Sequence, residues 1–409
     1  MIEEIIAVFF GVFLGILTGL LPGMSINNFL PIFLTLTIFS QETLVVFIVS
    51  FAVSQLIAQF IPSIFLGAPS EITSISVLPG HKLLLEGKGY EAVKICFISC
   101  ILSMFFSFLI IFTIHQNFKE FYHKIRDYIF YPILFIVIFT ILAENGLKKI
   151  IMSLFIFLIS GLVGFITLNS PYPSSNLMFP LLAGFFGLST LLVSLKEKSY
   201  IPEQNLSEQI NIKKIDLIKS SLIGTLSGLL VGFLPGVGVS QAAVLAQSLF
   251  GLYDPRFFLS TISSINLSNE IFSLNSLYLV GNPRSGTSVA LQKILDEFNF
   301  STFLLLFPTI LISVGLSIPI LLHISKKFTK FVEKINYVFL NVGIICFLSI
   351  LTLIFTGIFG MIIFITCGAI GVLAVELKIK RSHCMGCLLL PTLLFFSGKN
   401  VLLLNILFG

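Results

Sequence analysis

Long apolar runs, separated by short polar or Gly- and Pro-containing stretches, follow one another along almost the whole chain. An apolar run of about 20 residues is long enough for a helix to cross the hydrocarbon core of a bilayer. The runs and their breaks predict fourteen helical segments, of which 26–39 and 239–250 are short for a full crossing. In the first half they lie near 4–22, 26–39, 42–66, 90–114, 128–143, 148–168 and 177–195. In the second half they lie near 215–234, 239–250, 257–280, 298–322, 337–356, 358–377 and 386–407.

The pattern repeats itself about halfway along the chain. Three glycines spaced four residues apart lead into a Pro-Gly break in both copies, the first from Gly11 to Gly23 and the second from Gly224 to Gly236. Other pairs follow in the same order: Gly67-Ala-Pro69 with Gly281-Asn-Pro283, Gly161 with Gly368, and Pro180 with Pro391. Collinear matches indicate a duplicated unit. We therefore predict a first repeat over 1–195, a solvated cytoplasmic linker over 196–214 and a second repeat over 215–409.

Seven segments in each half are an odd number, so the second repeat is predicted to be inverted relative to the first. Lys and Arg are enriched in the cytoplasmic loops of membrane proteins. When the N-terminus is placed outside and every segment crosses, most of the Lys and Arg residues fall on the cytoplasmic side. This topology predicts that both termini are extracytoplasmic. If the two short segments do not cross, the halves are still inverted.

The composition agrees with a protein that lies mostly in lipid. The chain is 56% hydrophobic and 11% charged, whereas a soluble domain has about 25% charged residues. We therefore expect an all-α, multi-pass protein of the plasma membrane. The net charge of +5 is accounted for by basic loops and requires no nucleic-acid partner. The chain has no Gly-x-x-x-x-Gly-Lys-Ser/Thr loop and no His-Glu-x-x-His, which argues against an ATPase and against a zinc protease.

The duplicated Pro-Gly breaks are the first candidate binding site. Pro-Gly ends one helix, and the Ser or Asn that follows can cap the next. Free N–H groups and the positive end of the helix dipole at such a break favour an anion. The alternative is a sharp turn between packed helices that binds nothing. The candidate residues are Pro22, Gly23, Ser25 and Asn27 in the first half and Pro235, Gly236 and Ser240 in the second.

A second duplicated break has a Gly-x-Pro sequence followed by hydroxyl side chains. This pattern suits a re-entrant hairpin whose tip hydrogen-bonds a solute or a cation, although an ordinary exposed turn has the same residues. Arg284 is suited to pairing with a carboxylate, or it extends its charge to the membrane surface. The candidate residues are Pro69, Ser70 and Thr73 in the first half and Pro283, Arg284, Ser285 and Thr287 in the second.

Asn266, Asn269 and Glu270 lie in the middle of segment 257–280, at a spacing that places them on one helix face. An ionisable side chain inside a span is a functional hypothesis by default. We predict that Glu270 binds the coupling ion, H⁺ or Na⁺, and that Glu71 is a second candidate. The alternative is a carboxyl group that hydrogen-bonds neighbouring helices and serves packing.

Other polar residues have plainer explanations. His383-Cys384-Met-Gly-Cys387 has a spacing like that of metal ligands, but a structural zinc site needs four ligands and no second Cys pair lies in a loop. We therefore predict no metal and no organic cofactor. Glu144, Glu376 and Lys399 lie near the predicted ends of spans, where solvated side chains are expected.

Together these motifs resemble the large membrane subunit of the tripartite tricarboxylate transporters, the TctA family. The resemblance rests on the duplicated Gly-x-x-x-Gly-x-x-x-Gly-x-Leu-Pro-Gly, on Gly67-Ala-Pro69-Ser70, and on Pro79-Gly80-His81. It also rests on Asn266-Leu-Ser-Asn269 followed by Gly281-Asn-Pro283, and it extends over nearly the whole chain, closest to a shorter, archaeal branch. The resemblance implies uptake of carboxylates driven by an ion gradient. It also implies a small membrane subunit and an extracytoplasmic binding protein as partners.

The interpretation that accounts for most of these features is a secondary transporter of a small organic anion with two inverted repeats, broken helices and re-entrant hairpins. One alternative is a membrane-embedded enzyme acting on a lipid-linked substrate, for which we find no cluster of titratable residues or metal ligands. A channel is a second alternative, although channels more often have oligomeric symmetry than two inverted halves in one chain. The sequence leaves the solute and the oligomeric state open.

Overall fold

The structure is a computed structural model of the chain in which every regular element is a helix. It describes residues 2–22, 26, 29, 33, 40–67, 77–114, 128, 130–142, 144, 146–196, 202–206, 209–233, 238–251, 254–281, 283–295, 297–333 and 337–398. None of these residues lies in a β-strand. Most of the predicted segment 26–39 and residues 399–407 of the last segment lie outside the described residues.

The first half contains nine α-helices and one π-helical turn in its described part. The helices are α1 Ile2–Gly19, α2 Gln41–Ala58, α3 Phe60–Phe65, α4 Val77–Leu85, α5 Gly89–Ile114, α6 Phe130–Leu142, α7 Leu147–Leu168, α8 Ser174–Leu182 and α9 Ser189–Lys196. The π-helical turn Ala183–Leu188 joins α8 to α9, three residues after Pro180. Proline removes a helical hydrogen bond, and π-turns accommodate such a local irregularity.

The second half contains seven α-helices and one 3₁₀ turn in its described part. Its helices are α10 Lys214–Phe233, α11 Val239–Phe250, α12 Pro255–Val280, α13 Gly286–Ile294, α14 Phe300–Glu333, α15 Tyr337–Glu376 and α16 Gly386–Phe396, and a 3₁₀ turn Arg381–Met385 precedes α16. The predicted segments coincide with these helices within a few residues, except that α14 continues to Glu333 rather than ending near 322. The short helices α4 and α13 follow the two Gly-x-Pro breaks and were not predicted as helices.

The predicted break between 356 and 358 is confirmed inside α15. Gly357 has φ 63° and ψ −157°, a conformation that is open almost only to glycine. A methyl group at Gly360 would lie 3.5 Å from Cγ2 of Thr352, whereas eight residues of straight helix extend about 12 Å. The chain after Gly357 therefore runs back alongside the turn that precedes it.

The spaced glycines of each half allow a close helix pair. A methyl group at Gly15 of α1 would overlap the carbonyl oxygen of Phe51 in α2. A methyl group at Gly228 of α10 would likewise overlap the hydroxyl of Ser268 in α12. Small residues let helix backbones approach in this way inside a membrane. The same local packing thus occurs in both halves, 213 residues apart.

Contacts between the halves are as extensive as contacts within them. Helix α2 packs against α14, where the Ser317 hydroxyl donates to Ser54 Oγ at 2.8 Å. Helix α12 packs against α5, where the Ser264 hydroxyl donates to the Ser99 carbonyl at 3.1 Å. Helix α7 also packs against α16, and α15 against the π-helical turn. The two repeats are therefore interlocked, and their inverted orientation stays a prediction.

Most of the linker residues that the structure describes are exposed or half-buried, but one polar side chain, that of Gln204, is buried against the first half. Gln204 is 6% exposed and donates to the Leu84 carbonyl at 2.8 Å, while it accepts from the Gly89 N–H at 2.9 Å. The Asn211 N–H donates to Glu91 at 2.8 Å. Gln204 thus provides an acceptor for the Gly89 N–H at the start of α5, and Glu91 in the same turn holds the Asn211 backbone. The linker is therefore docked on the first half.

Eight helical stretches in the described residues are long and apolar enough to cross a membrane. They are Ile2–Gly19, Gln41–Phe65, Gly89–Thr113, Leu147–Leu168, Asn176–Lys196, Lys214–Phe233, Phe300–Phe331 and Val338–Glu376. Helix α12 is 26 residues long but lies outside this set. Its Ser, Asn and Glu side chains make it too polar to face lipid, and almost its whole length is buried in the protein. It therefore offers polar groups that are enclosed by other helices.

Candidate functional site

Helix α12 begins and ends at local signals that fix its position. The Asp254 carboxylate accepts from the Arg256 N–H at 2.7 Å, and Pro255 occupies the first turn. Gly281 ends the helix with a left-handed φ of 67°. In the first half Gly67 also has a left-handed φ, of 61°, at the matching position. The Gly-x-Pro motifs thus mark a chain reversal in both halves.

After Gly281 the chain passes Pro283 and enters α13, which packs back against α12 and α2. The start of α13 is a capping box: Ser285 Oγ accepts from the Ser288 N–H at 3.2 Å, and Ser288 Oγ accepts from the Ser285 N–H at 2.9 Å. Such a box satisfies two N–H groups at a helix start. The second Gly-x-Pro motif therefore forms a tight helical hairpin, and its re-entry into the membrane stays a prediction.

A network of hydroxyl groups joins α13 to α12. Ser288 Oγ lies 3.0 Å from Ser273 Oγ and also accepts from the Arg284 N–H at 2.9 Å. The Ser285 hydroxyl donates to Oε1 of Glu270 at 3.1 Å. Ser285 Oγ also lies 3.3 Å from Ser288 Oγ, so its hydroxyl hydrogen is within reach of both the Glu270 carboxylate and Ser288. The hairpin thus presents a donor to Glu270.

Glu270 is almost completely enclosed, with 3% of its surface exposed. None of the Lys, Arg or His side chains that the structure describes forms an ion pair with it. The Thr287 hydroxyl faces the same carboxylate and is fully buried. It forms no hydrogen bond of normal geometry with any described residue. Among the described residues, the carboxylate therefore contacts hydroxyl oxygens and forms no ion pair.

Asn266 lies one helical turn before Glu270 and is 1% exposed. Its Nδ2 donates to the carbonyl of Leu56 in α2 at 3.4 Å, whereas its Oδ1 accepts from no described residue. Leu56 occupies the first-half position that corresponds to Glu270, 214 residues earlier. The carboxylate is therefore a feature of the second repeat alone.

Two predicted site residues, Ser285 and Thr287, lie at Glu270, and Asn266 is one turn away on the same helix. The backbone N–H of Arg284 joins the hydroxyl network through Ser273 and Ser288. Asn269 is half-buried on the same helix. Convergence of the Pro-Gly breaks on this cluster stays a prediction, although Pro22 is buried after α1 and Ser240 is buried in the first turn of α11. Nine candidates lie outside the described residues: Gly23, Ser25, Asn27, Pro69, Ser70, Glu71, Thr73, Pro235 and Gly236.

Two participants in the hydroxyl network, Ser273 and Ser288, were not predicted. Ser273 follows Glu270 by three residues, a spacing that places it on the same helix face. Ser288 is three residues after Ser285, the spacing of a capping box. Both spacings can be found in the sequence. Serines are frequent along α12, however, and which of them join the hydroxyl network depends on how α13 folds back.

The interpretation of Glu144 as a solvated span end is wrong. Its Oε1 accepts from the Lys380 N–H at 3.3 Å and lies 3.0 Å from His383 Nε2. Both side chains are buried, and the nearby Cys384 and Cys387 are buried free thiols. Among the described residues no group of three His, Cys, Asp or Glu side chains is arranged to hold a metal ion. His383 therefore pairs with a carboxylate from the other half.

Comparison with known proteins places these features in a family. The family model of the tripartite tricarboxylate transporter TctA family matches residues 5–386. The uncharacterized protein MJ1079 of Methanocaldococcus jannaschii is 31% identical over 379 residues, which cover 90% of this chain and 93% of that protein. No solved structure matches. Since the family model and this relative both span nearly the whole chain, the protein belongs to the tripartite tricarboxylate transporter TctA family.

Proposed function

We propose that the protein is the permease subunit of a secondary transporter that imports a small organic anion, a carboxylate, using an H⁺ or Na⁺ gradient. The observation that carries this proposal is the family match over residues 5–386. The family name specifies tricarboxylates and a tripartite system. We therefore also propose a small membrane subunit and an extracytoplasmic binding protein as partners, in the plasma membrane.

The arrangement of broken helices supports anion binding. Pairs of broken helices at matching places in two repeats are the usual location of a transporter's solute site. The Pro-Gly sequence before α11 precedes a helix start at Val239, where N–H groups favour negative charge. The matching residues 23–25 after α1 lie outside the described part of the chain. Arg284 follows the Gly281 reversal, and its guanidinium group can form two parallel hydrogen bonds with a carboxylate. These groups would orient a substrate that carries at least one carboxylate.

Coupling to an ion is supported by the carboxyl group of Glu270. An enclosed, ionised carboxylate without a compensating charge costs several kcal/mol. A bound proton or cation removes this cost, so occupancy of the site can change the stability of one conformation relative to another. Because α12 and α13 pack against α2 and α5, such a change acts on the interface between the two repeats.

Uptake into proteoliposomes tests this proposal. The chain is reconstituted with its two proposed partners, and mono-, di- and tricarboxylates are offered under an imposed Na⁺ gradient or pH gradient. We expect saturable uptake of at least one carboxylate that stops when the gradient is dissipated. Arg284→Gln should raise the KM for that solute, whereas Lys196→Gln, which removes an exposed positive charge from α9, should not.

Two results would contradict the proposal. Flux that does not saturate and ignores the imposed gradient would indicate a channel. Chemical modification of a lipid-linked substrate, without carboxylate uptake, would indicate a membrane-embedded enzyme.

A further inference from the structure

We propose that Glu270, Thr287 and Asn266 form a Na⁺ site in the second repeat, with Ser285 positioning the Glu270 carboxylate. This inference rests on the proposed function, because it names the coupling ion and its ligands. The binding itself is a property of the chain and can be measured without transport.

The first step is the state of the Glu270 carboxyl group. Ser285 donates its hydroxyl hydrogen to Oε1, and Thr287 has a hydroxyl hydrogen with no other acceptor in hydrogen-bond geometry. Both hydroxyl groups can donate to this carboxyl group, and an ionised carboxylate can accept from both. With no described cationic side chain beside it, this negative charge needs a bound positive ion.

The second step is the set of unused oxygen atoms. Thr287 Oγ1 and Asn266 Oδ1 are both buried, and neither has a hydrogen-bond partner among the described residues. Buried oxygen atoms without partners cost roughly 1–3 kcal/mol each. Thr287 faces the carboxylate, and Asn266 is one turn away on the same helix face. One cation among these oxygens would provide a partner for all of them.

Oxygen ligands of this type select hard cations. Carboxylate, hydroxyl and amide oxygens bind ions of the Na⁺, Mg²⁺ and Ca²⁺ class, whereas zinc prefers His and Cys. The cluster has one carboxylate, so its single negative charge is neutralised by a monovalent ion such as Na⁺. A divalent ion would leave a net positive charge at the site. A proton on Glu270 would neutralise the same charge, but it could satisfy at most one of the two unpartnered oxygens.

The site occurs once in each chain. At the position equivalent to Glu270 the first repeat has Leu56, and at the position equivalent to Asn266 it has Ala52. Neither side chain can ligate a cation. We therefore infer one Na⁺ bound at this place per chain, so that the two repeats differ in ion binding although they share their helix packing.

Binding of ²²Na⁺ to the purified full chain in detergent, with unlabelled K⁺ as competitor, tests the site. Wild type should bind about one Na⁺ that K⁺ does not displace. Thr287→Val should weaken binding ~10–100-fold, as loss of a supporting group does at metal sites, and Glu270→Gln should weaken it at least as much. The matched control is Thr225→Val, since Thr225 is equally buried but donates to its own helix, at the Ser221 carbonyl.

The change in melting temperature when Na⁺ is added gives a second measurement of binding. Na⁺ should raise the melting temperature of wild type and of Thr225→Val, but not that of folded Thr287→Val. Equal Na⁺ affinity in wild type and Thr287→Val would overturn the site. Release of a proton near neutral pH with no Na⁺ binding would show that Glu270 carries H⁺ instead. If Na⁺ binds as expected but no carboxylate is transported, the proposed function fails while the site stands.

Discussion

His383 Nε2 lies 3.0 Å from Oε1 of Glu144, although 239 residues separate them in the chain. The pair joins the turn between α6 and α7 in the first repeat to the 3₁₀ turn before α16 in the second. The Ser160 hydroxyl also donates to the His383 carbonyl at 3.3 Å. The side chains of Glu144 and His383 are 7% and 2% exposed. These contacts hold the 3₁₀ turn before α16 against the first repeat, at Glu144 before α7 and at Ser160 within it.

The pair predicts a loss of stability in acid. Burial lowers the pKa of His383 below its ordinary 6.5, despite the nearby carboxylate of Glu144. Burial tends to raise the pKa of Glu144, but the hydrogen bonds from His383 and the Lys380 N–H outweigh it and hold this pKa below 4.5. In both cases the unfolded chain binds the proton more tightly than the folded one. Stability should therefore fall as the pH drops below about 6.5, first through His383 and then through Glu144.

Thermal unfolding of the protein in nanodiscs between pH 8 and pH 4 measures this effect. His383→Gln should flatten the curve between about pH 7 and pH 5.5, because the titrating imidazole is gone. Glu144→Leu should destabilise the protein by about 1–3 kcal/mol at neutral pH, since it leaves the buried His383 Nε2 and the Lys380 N–H without their acceptor. The control is His323→Gln in α14. A wild-type slope in His383→Gln would contradict the assignment.

The close pairing of α1 and α2 predicts a sharp difference between two Gly→Ala substitutions. Gly15→Ala would press its methyl group into the carbonyl of Phe51 and should destabilise the protein by about 1–3 kcal/mol. Gly315→Ala in α14 meets no atom within 4 Å, and alanine favours a helix by up to ~1 kcal/mol. Melting temperatures in one detergent compare the two variants. Equal values would refute the close contact.

The helices of this protein follow from the sequence because membrane spans are specified locally. Apolar length predicts a span, and Gly or Pro marks its end, so the break at Gly357 was predicted to within a residue. Helices α4 and α13 were missed because each has only nine residues, too few for a span. Their helicity depends on caps such as Ser285 and on packing against α12, which a hydropathy pattern does not report.

Long-range pairs could not be predicted from one sequence. Glu144 looks like a solvated span end because its partner, His383, is far away in the chain. Glu270 and Thr287 are different, since 17 residues and one predicted reversal separate them. The sequence therefore predicted the neighbourhood of Glu270 but not which hydroxyl groups would face it.

The turn inside α15 can be tested with two glycines of the same element. Gly357 and Gly343 both have open space where a methyl group would be placed, so only their backbone conformations differ. Gly343 is helical, and Gly343→Ala should leave stability unchanged or raise it slightly. Gly357→Ala would force alanine into a region that suits glycine, which costs about 1–3 kcal/mol. If both variants melt at the same temperature, the chain does not turn back at Gly357.

The predicted topology places the linker in the cytoplasm and the end of α13 outside. Glu203 in the linker and Lys293 in α13 are both exposed, so each can be replaced by a cysteine that reagents can reach. The background variant is Cys346→Ser, because Cys346 is the exposed thiol among the six cysteines. A membrane-impermeant maleimide added to intact cells should label Lys293→Cys at once. It should label Glu203→Cys only after the membrane is permeabilised, because the basic residues that flank the linker favour the cytoplasmic side. Labelling of Glu203→Cys in intact cells, with Lys293→Cys protected, would reverse the orientation of the whole chain. Labelling of both cysteines in intact cells would place Glu203 and Lys293 on the same side of the membrane. It would then exclude the predicted order of membrane crossings between these two positions.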